Sequence, residues 1–269
     1  MSPTLPRFDP YLVAIGQELE DLSRIGPAQP FRAHGPTLAR DDLAVLARAA
    51  QARLRSVAPT PTLTSAGLMD GGGLTPDGRT VVAMLTAPEA RMRVESGRGR
   101  APLTLDVYLQ GGAALTVATA SPAALPDVPH GESILEVSAS VGLDLVDSSA
   151  VPAVIASWVG LAPAWSLATT PEVLPEATVL ARVDDPRTPP PPGADAHLRH
   201  VWDQPWFLWT LRASGAEAGL VVVHAGAAGG FVLTAAPEPA DVGFRVAPAA
   251  LLWSQIVELT STAVTAGRS

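Results

Sequence analysis

The sequence contains no cysteine, which excludes disulfides, thiolate nucleophiles and thiolate metal sites. It also contains no lysine, so its 18 basic residues are all arginines, and against 26 acidic residues they leave a net charge of −8. An acidic balance disfavours nucleic acid as a partner, because nucleic-acid binding depends on neutralising phosphates. An Arg-, Ala- and Pro-rich chain without lysine is typical of bacterial genomes of high GC content.

Long apolar runs are missing as well. No window approaches the roughly 18 consecutive apolar residues of a membrane-spanning helix, so we expect no membrane partner. The first residues lack a basic stretch followed by an apolar run, which predicts no signal peptide and a cytoplasmic location. What the chain has in abundance is apolar residues, 47% of 269, with 16% charged residues, and this composition predicts a globular protein.

One order of strands and helices occurs twice along the chain. Each copy has alternating strands, a Gly-containing hairpin, one more strand and an apolar helix. The first copy comprises strands at Arg91–Glu95, Leu103–Gln110, Ala114–Ala118 and Gly142–Val146, and a helix from Asp147 to about Val159. The second comprises strands at Trp206–Arg212, Gly219–His224, Phe231–Thr234 and Gly243–Val246, and a helix from Pro248. The sequence therefore predicts an α+β fold of two quasi-equivalent halves, each an antiparallel β-sheet with flanking helices.

Three regions follow from this repeat. Residues 1–35 are predicted to form an N-terminal arm, with an amphipathic helix over Tyr11–Leu22 that either packs on the body or mediates self-association. Residues 36–165 form the N-terminal half, with helices and an antiparallel sheet, and residues 166–269 form the C-terminal half of the same kind. A proline-rich linker over Asp184–Gly193 lies near the start of the second half.

Motifs for catalysis or metal binding do not stand out. Gly71-Gly-Gly73 lacks the Gly-Lys-Ser/Thr ending of a phosphate loop, and no Gly-x-Ser-x-Gly nucleophile motif occurs. His197 and His200 could share a helix face, but a third metal ligand is not identifiable nearby. We therefore expect no catalytic residue, no metal and no cofactor, and a protein that is not an enzyme. A small-molecule hydrolase with its site between the halves remains the alternative.

The two predicted sheets differ in which faces are apolar. Aligning Pro88 with Pro205 places Phe207, Trp209 and Leu211 on the buried face, in register with Met92 and Val94. The opposite face then carries apolar residues in the second half where the first half has charges, so something must cover it. The cover is either the chain's own helices or a partner protein with aromatic anchors. The candidate partner-binding residues are Trp206, Leu208, Trp209, Val221, Val223 and Phe231.

Two stretches resemble the EspG family of type VII (ESX) secretion-associated proteins of actinobacteria. The first is Gly67-Leu-Met-Asp-Gly-Gly-Gly-Leu-Thr-Pro-Asp77, followed by an apolar helix and Leu85-Thr-Ala-Pro-Glu89. The second is Val222–Thr234, followed by Val246–Leu252 at the start of the last helix. The resemblance implies two quasi-equivalent halves of sheet and helices, and a cytosolic chaperone that binds PE–PPE heterodimers and keeps them soluble for export.

The implied partner is thus a helical secretion substrate, PE–PPE-like or WXG100-like. Besides the hydrolase, the alternative is a self-associating structural protein, in which the two-sided sheet of the second half forms a homodimer.

Overall fold

The computed structural model describes residues 31–51, 60–97, 103–125, 138–161 and 172–268. The predicted helix over Tyr11–Leu22 and most of the N-terminal arm lie outside these residues. The described chain has the predicted α+β fold: a ten-stranded antiparallel sheet with helices on both faces.

The elements agree closely with the repeat predicted from the sequence. The strands are β1 (Thr37–Ala39), β2 (Met69–Asp70), β3 (Gly73–Leu74), β4 (Ala90–Ser96), β5 (Leu103–Gln110), β6 (Ala113–Ala118), β7 (Ser140–Asp147), β8 (Glu172–Pro175), β9 (Trp206–Ala213), β10 (Leu220–Ala225), β11 (Gly230–Ala235) and β12 (Asp241–Ala247). The helices are α1 (Arg40–Gln51), α2 (Pro61–Ser65), α3 (Pro76–Thr86), α4 (Val151–Trp158), α5 (Glu176–Asp184), α6 (Ala196–Trp202) and α7 (Ala249–Gly267).

The strands form one continuous sheet rather than two separate ones. Its order is β1-β7-β6-β5-β4-β9-β10-β11-β12-β8, so that equivalent strands of the two copies lie at equal distances from the β4–β9 junction. β2 and β3 pair separately as a small hairpin. The sheet contains strands from both sides of the predicted boundary between residues 165 and 166. The division of the chain into three regions stays a prediction.

The register at the junction agrees with the alignment of Pro88 with Pro205. That alignment also matches Val94 with Leu211, and these two residues lie directly opposite each other across β4 and β9. In the next strands outward the register differs by two residues, because Val94 pairs with Leu105 whereas Leu211 pairs with Leu220 rather than Val222. A local pseudo-two-fold axis passes through the Val94–Leu211 pair and relates β4 to β9.

One face of the sheet is covered by the apolar helix that ends each copy. Helices α4 and α7 pack on each other and on the central strands. Beneath them lies a core in which Met92, Val94, Trp209 and Leu211 are all buried, together with Phe207. The inward positions predicted for these residues are confirmed.

The other face carries two separate helical covers. In the first half, α1, α2 and α3 enclose an aliphatic core that includes Leu46, Leu63, Leu115 and Leu143. In the second half, α5 and α6 enclose a core rich in aromatic residues, Trp202, Trp206, Phe231 and Phe244 among them.

The stretch that resembles the EspG family at Gly67–Asp77 forms part of the first cover. Within it, Met69–Asp70 and Gly73–Leu74 form the β2–β3 hairpin, with Gly71 and Gly72 at positive φ in the turn. The Thr75 hydroxyl donates to the Gly67 carbonyl at 2.6 Å and accepts from the Gly78 amide at 3.0 Å, so it links the hairpin to the first turn of α3. A Cβ at Gly78 would lie 2.0 Å from the Leu68 carbonyl oxygen, which explains why glycine stands there.

Neither edge strand of the sheet was predicted from the sequence. β1 and β8 have only three and four residues, too few for an alternating pattern to show. β8 leads directly into α5. No helix in the described part of the chain combines the length and hydropathy that a membrane crossing requires.

Candidate partner-binding surface

The six predicted partner-binding residues do not form one exposed surface. Trp206, Val223 and Phe231 are buried beneath α5 and α6, and Trp209 is buried on the opposite face beneath α4 and α7. This corrects the expectation that a partner covers these four side chains, because the chain's own helices cover them. Leu208 and Val221 are only half-buried, and partner binding stays a prediction for them alone.

Trp206 is the centre of an aromatic cluster rather than an exposed anchor. Its ring stacks on Phe244 with centroids 5.6 Å apart and meets Trp202 edge-on at 4.7 Å. The indole N–H donates to the Val201 carbonyl at 2.8 Å, so the polar atom of the side chain is satisfied inside the core. These contacts fasten α6 to the sheet.

Arg182 of α5 lies over the Trp206 ring at the edge of this cluster. Only 4% of the residue is exposed, and its guanidinium carbon lies 5.3 Å from the centroid of the Trp206 ring. The guanidinium donates to the Trp202 carbonyl at 2.8 and 3.0 Å and to the Gln204 carbonyl at 2.6 Å. Burial lowers the pKa of Arg182 from its usual value. Because its guanidinium donates to these backbone carbonyls, Arg182 links α5 to the end of α6 and has a structural role.

Between the two helical covers, none of the described helices packs over this face at the middle of the sheet. We call this surface the central strip. It consists of Arg91, Arg93 and Glu95 of β4, Asp106 and Tyr108 of β5, Leu208, Thr210 and Arg212 of β9, and Val221 of β10. Arg91, Arg93 and Arg212 are exposed, and the other six are partly buried. Leu208 and Val221, the two predicted residues that keep some exposure, lie on this strip.

The two sides of the central strip differ in polarity. On β4 and β5, Arg93 forms ion pairs with Glu95 at 2.7 Å and with Asp106 at 3.3 Å. The Arg91 guanidinium lies 5.5 Å from the Tyr108 ring centroid and donates to the Leu85 carbonyl at 3.4 Å. On β9 and β10 the strip presents Leu208, Thr210 and Val221, with Arg212 as the one charged residue. It is therefore charged along one side and mainly apolar along the other.

Burial also affects the ionisable groups at the edge of the strip. It raises the pKa of Asp106 above its usual value, although the positive charge of Arg93 opposes this effect. Burial and the neighbouring Asp106 raise the pKa of Tyr108. Both side chains lie where β5 passes under α3, so the strip ends at a partly desolvated edge on this side.

Two other places in the described structure, the histidine pair of α6 and a small pocket, lack the ligands or the volume that a metal or metabolite site requires. Within the described residues, no group of three or more His, Asp or Glu side chains is placed to hold a metal ion, and His197 and His200 lie on α6 without a third ligand. A pocket between β4, the β5–β6 turn and the end of α7 has a volume of about 20 Å³. That volume is close to what one ordered water requires, so this pocket is too small for a metabolite.

No family model matches the chain, and no curated protein does. Among the solved structures similar to it is the Mycobacterium tuberculosis type VII secretion system chaperone EspG5, in complex with a PE25-PPE41 dimer. That comparison has a TM-score of 0.47 at 13% sequence identity, and it covers 84% of this chain and 96% of that chain.

Proposed function

We propose that this protein is a non-enzymatic, chaperone-like binding protein of a type VII secretion system. It binds a helical secretion substrate, PE–PPE-like or WXG100-like, in the cytoplasm and keeps the substrate soluble for export. The class of partner follows from the sequence resemblance to the EspG family at Gly67–Asp77 and Val222–Leu252. The observation that carries the proposal is the central strip, the sheet surface between the two helical covers.

The dimensions of the strip suit a helix. The strip involves four adjacent strands, β5, β4, β9 and β10, and strands about 4.8 Å apart place the outer two about 14 Å from each other. A helix with its side chains is about 10–12 Å across, so the four strands together have the width of one helical element, with α3 packing on β5 and α5 on β9 at the sides.

The polarity of the strip suits an amphipathic helix in particular. An apolar face of the partner can pack on Leu208 and Val221, while polar side chains meet the charged β4 side. Burial of an apolar helical tip in this way removes surface that would otherwise aggregate, which is the physical basis of chaperone activity here.

Co-expression with PE–PPE-type heterodimers from the same genome tests the proposal. We expect the chain to raise the soluble yield of a heterodimer and to co-elute with it as a complex of defined mass. Leu208→Glu and Thr210→Glu should each weaken the complex by about tenfold or more, because both place a negative charge in the proposed contact. Circular dichroism and thermal unfolding would show that both variants are folded.

The matched control is Leu251→Glu. Leu251 is 40% exposed on α7, on the other face of the sheet, and the substitution is chemically the same. We expect this variant to bind like the wild type. Loss of binding in Leu251→Glu with full binding in both strip variants would contradict the proposed surface, and no binding by the wild type to any such heterodimer would contradict the proposed function.

A further inference from the structure

The charges of the central strip are unevenly compensated. Arg93 and Arg212 lie directly opposite each other across β4 and β9. Like charges at directly opposite positions of a sheet destabilise it unless other groups compensate them. Arg93 has this compensation, since Glu95 and Asp106 both lie within ion-pair distance.

Arg212 has no such compensation. It is exposed, and among the residues that the structure describes no carboxylate lies within ion-pair distance of its guanidinium. The strip carries three arginines against one glutamate and one aspartate, so it is positive on a chain whose net charge is −8. A partner with a carboxylate is therefore complementary to this surface.

We propose that the docking segment of the partner carries an aspartate or glutamate that pairs with Arg212. This inference rests on the proposed function and adds the chemistry that the partner must have. An apolar side chain of the same segment packs on Leu208 and Val221, so the segment combines one acidic and one apolar contact.

The spacing of the two contacts follows from strand geometry. Leu208 and Arg212 lie on the same face of β9, four residues apart, and a rise of about 3.3 Å per residue separates them by about 13 Å. A helix rises about 1.5 Å per residue, so about 13 Å corresponds to about nine positions, which lie on opposite faces of a helix. The nearest spacing on one face is seven or eight positions, about 11–12 Å, and the long Arg212 side chain spans the difference. The inference thus specifies a sequence pattern in the partner.

The test measures affinity between the purified full chain and a recombinant PE–PPE-type heterodimer from the same genome, at low and at high salt. Arg212→Glu should weaken binding by about a hundredfold, because it sets two carboxylates against each other. Arg212→Gln should weaken binding by about threefold to tenfold and reduce its salt dependence, while Arg212→Lys should remain close to the wild type. Arg245→Glu is the control, since Arg245 is exposed on β12 and the charge change is the same.

The outcomes separate the two proposals. Replacing the acidic residue of the partner by arginine should restore binding to Arg212→Glu, and this rescue would identify the pair. If the wild type binds and Arg212→Glu binds equally well, the pairing is wrong and the proposed function stands. An equal loss in Arg245→Glu would also overturn the pairing, because the effect would then come from net charge. If the wild type does not bind, both proposals are overturned.

Discussion

The two halves of the sheet carry opposite chemistry at equivalent positions of one face. The offset that relates Val94 to Leu211 also relates Arg91 to Leu208. By strand pairing, Asp106, opposite Arg93, corresponds to Val221, opposite Thr210. Arg91 is exposed and Asp106 lies in an ion pair, whereas Leu208 and Val221 are apolar and half-buried. The same backbone path therefore supports a charged surface on one side of the axis and an apolar surface on the other.

The largest expected effect concerns Trp206 and its equivalent Glu89. Trp206 is 6% exposed within the aromatic cluster, whereas Glu89 is exposed and accepts from the Gly111 amide at 3.1 Å. We expect Trp206→Ala to lower the free energy of unfolding by about 3–5 kcal/mol, because it leaves a cavity beneath Arg182. Glu89→Ala should cost less than about 1 kcal/mol. Urea denaturation of both variants measures the difference, and equal losses would mean that the two halves do not differ as described.

A smaller effect concerns His224, opposite Phe207, and its equivalent Leu109, opposite Ala90. His224 stacks on Phe207 with centroids 4.7 Å apart, and burial lowers its pKa from 6.5 to about 4, against the opposing effect of a hydrogen bond with the Gly160 backbone. Above pH 6.5 the side chain is neutral in both states. Between pH 6.5 and about 4 the unfolded chain takes up a proton that the folded chain does not. The free energy of unfolding therefore decreases as the pH is lowered, by roughly 2–3 kcal/mol. Below about pH 4 the loss levels off.

Unfolding measured across this range checks the prediction. His224→Leu, which installs the residue of the first half, should flatten the pH dependence, whereas Val222→Ala, at a buried position of the same strand without an ionisable group, should leave it unchanged. An identical pH dependence in His224→Leu and the wild type would contradict the account of this residue.

The repeat itself could be predicted because its signals are local. Strict alternation marks β4 and β5, Gly111 and Gly112 take the positive φ of their turn, and Pro248 immediately precedes α7. The alignment of Pro88 with Pro205 matches Val94 with Leu211, the pair at the centre of the sheet, but it does not predict that β4 pairs with β9. The edge strands β1 and β8 were missed because such short segments become strands only through the neighbour they pair with.

The candidate site was predictable only in part, for a physical reason. A strand that is apolar on both faces must be covered on both, but its sequence does not specify the covering group. At Trp206 the cover is α6 and the Arg182 guanidinium, which come from segments earlier in the chain and are recognisable only once folded. The charges of β4 lie on the same face of the sheet as Leu208 and Val221 only because β4 pairs with β9 and β9 with β10, and the sequence does not specify the first of these pairings.

The central claim is that the strip between the two helical covers holds the partner. Because the chain has no cysteine, Thr210→Cys provides a single attachment point for a photo-crosslinker at the middle of the strip, and Ser254→Cys provides one on the exposed face of α7. Each labelled protein is irradiated in the presence of the PE–PPE-type heterodimer, and crosslinked subunits are identified by mass spectrometry. The account predicts crosslinks to a helical segment of the partner from position 210 and none from position 254. Crosslinks from position 254 alone would contradict it.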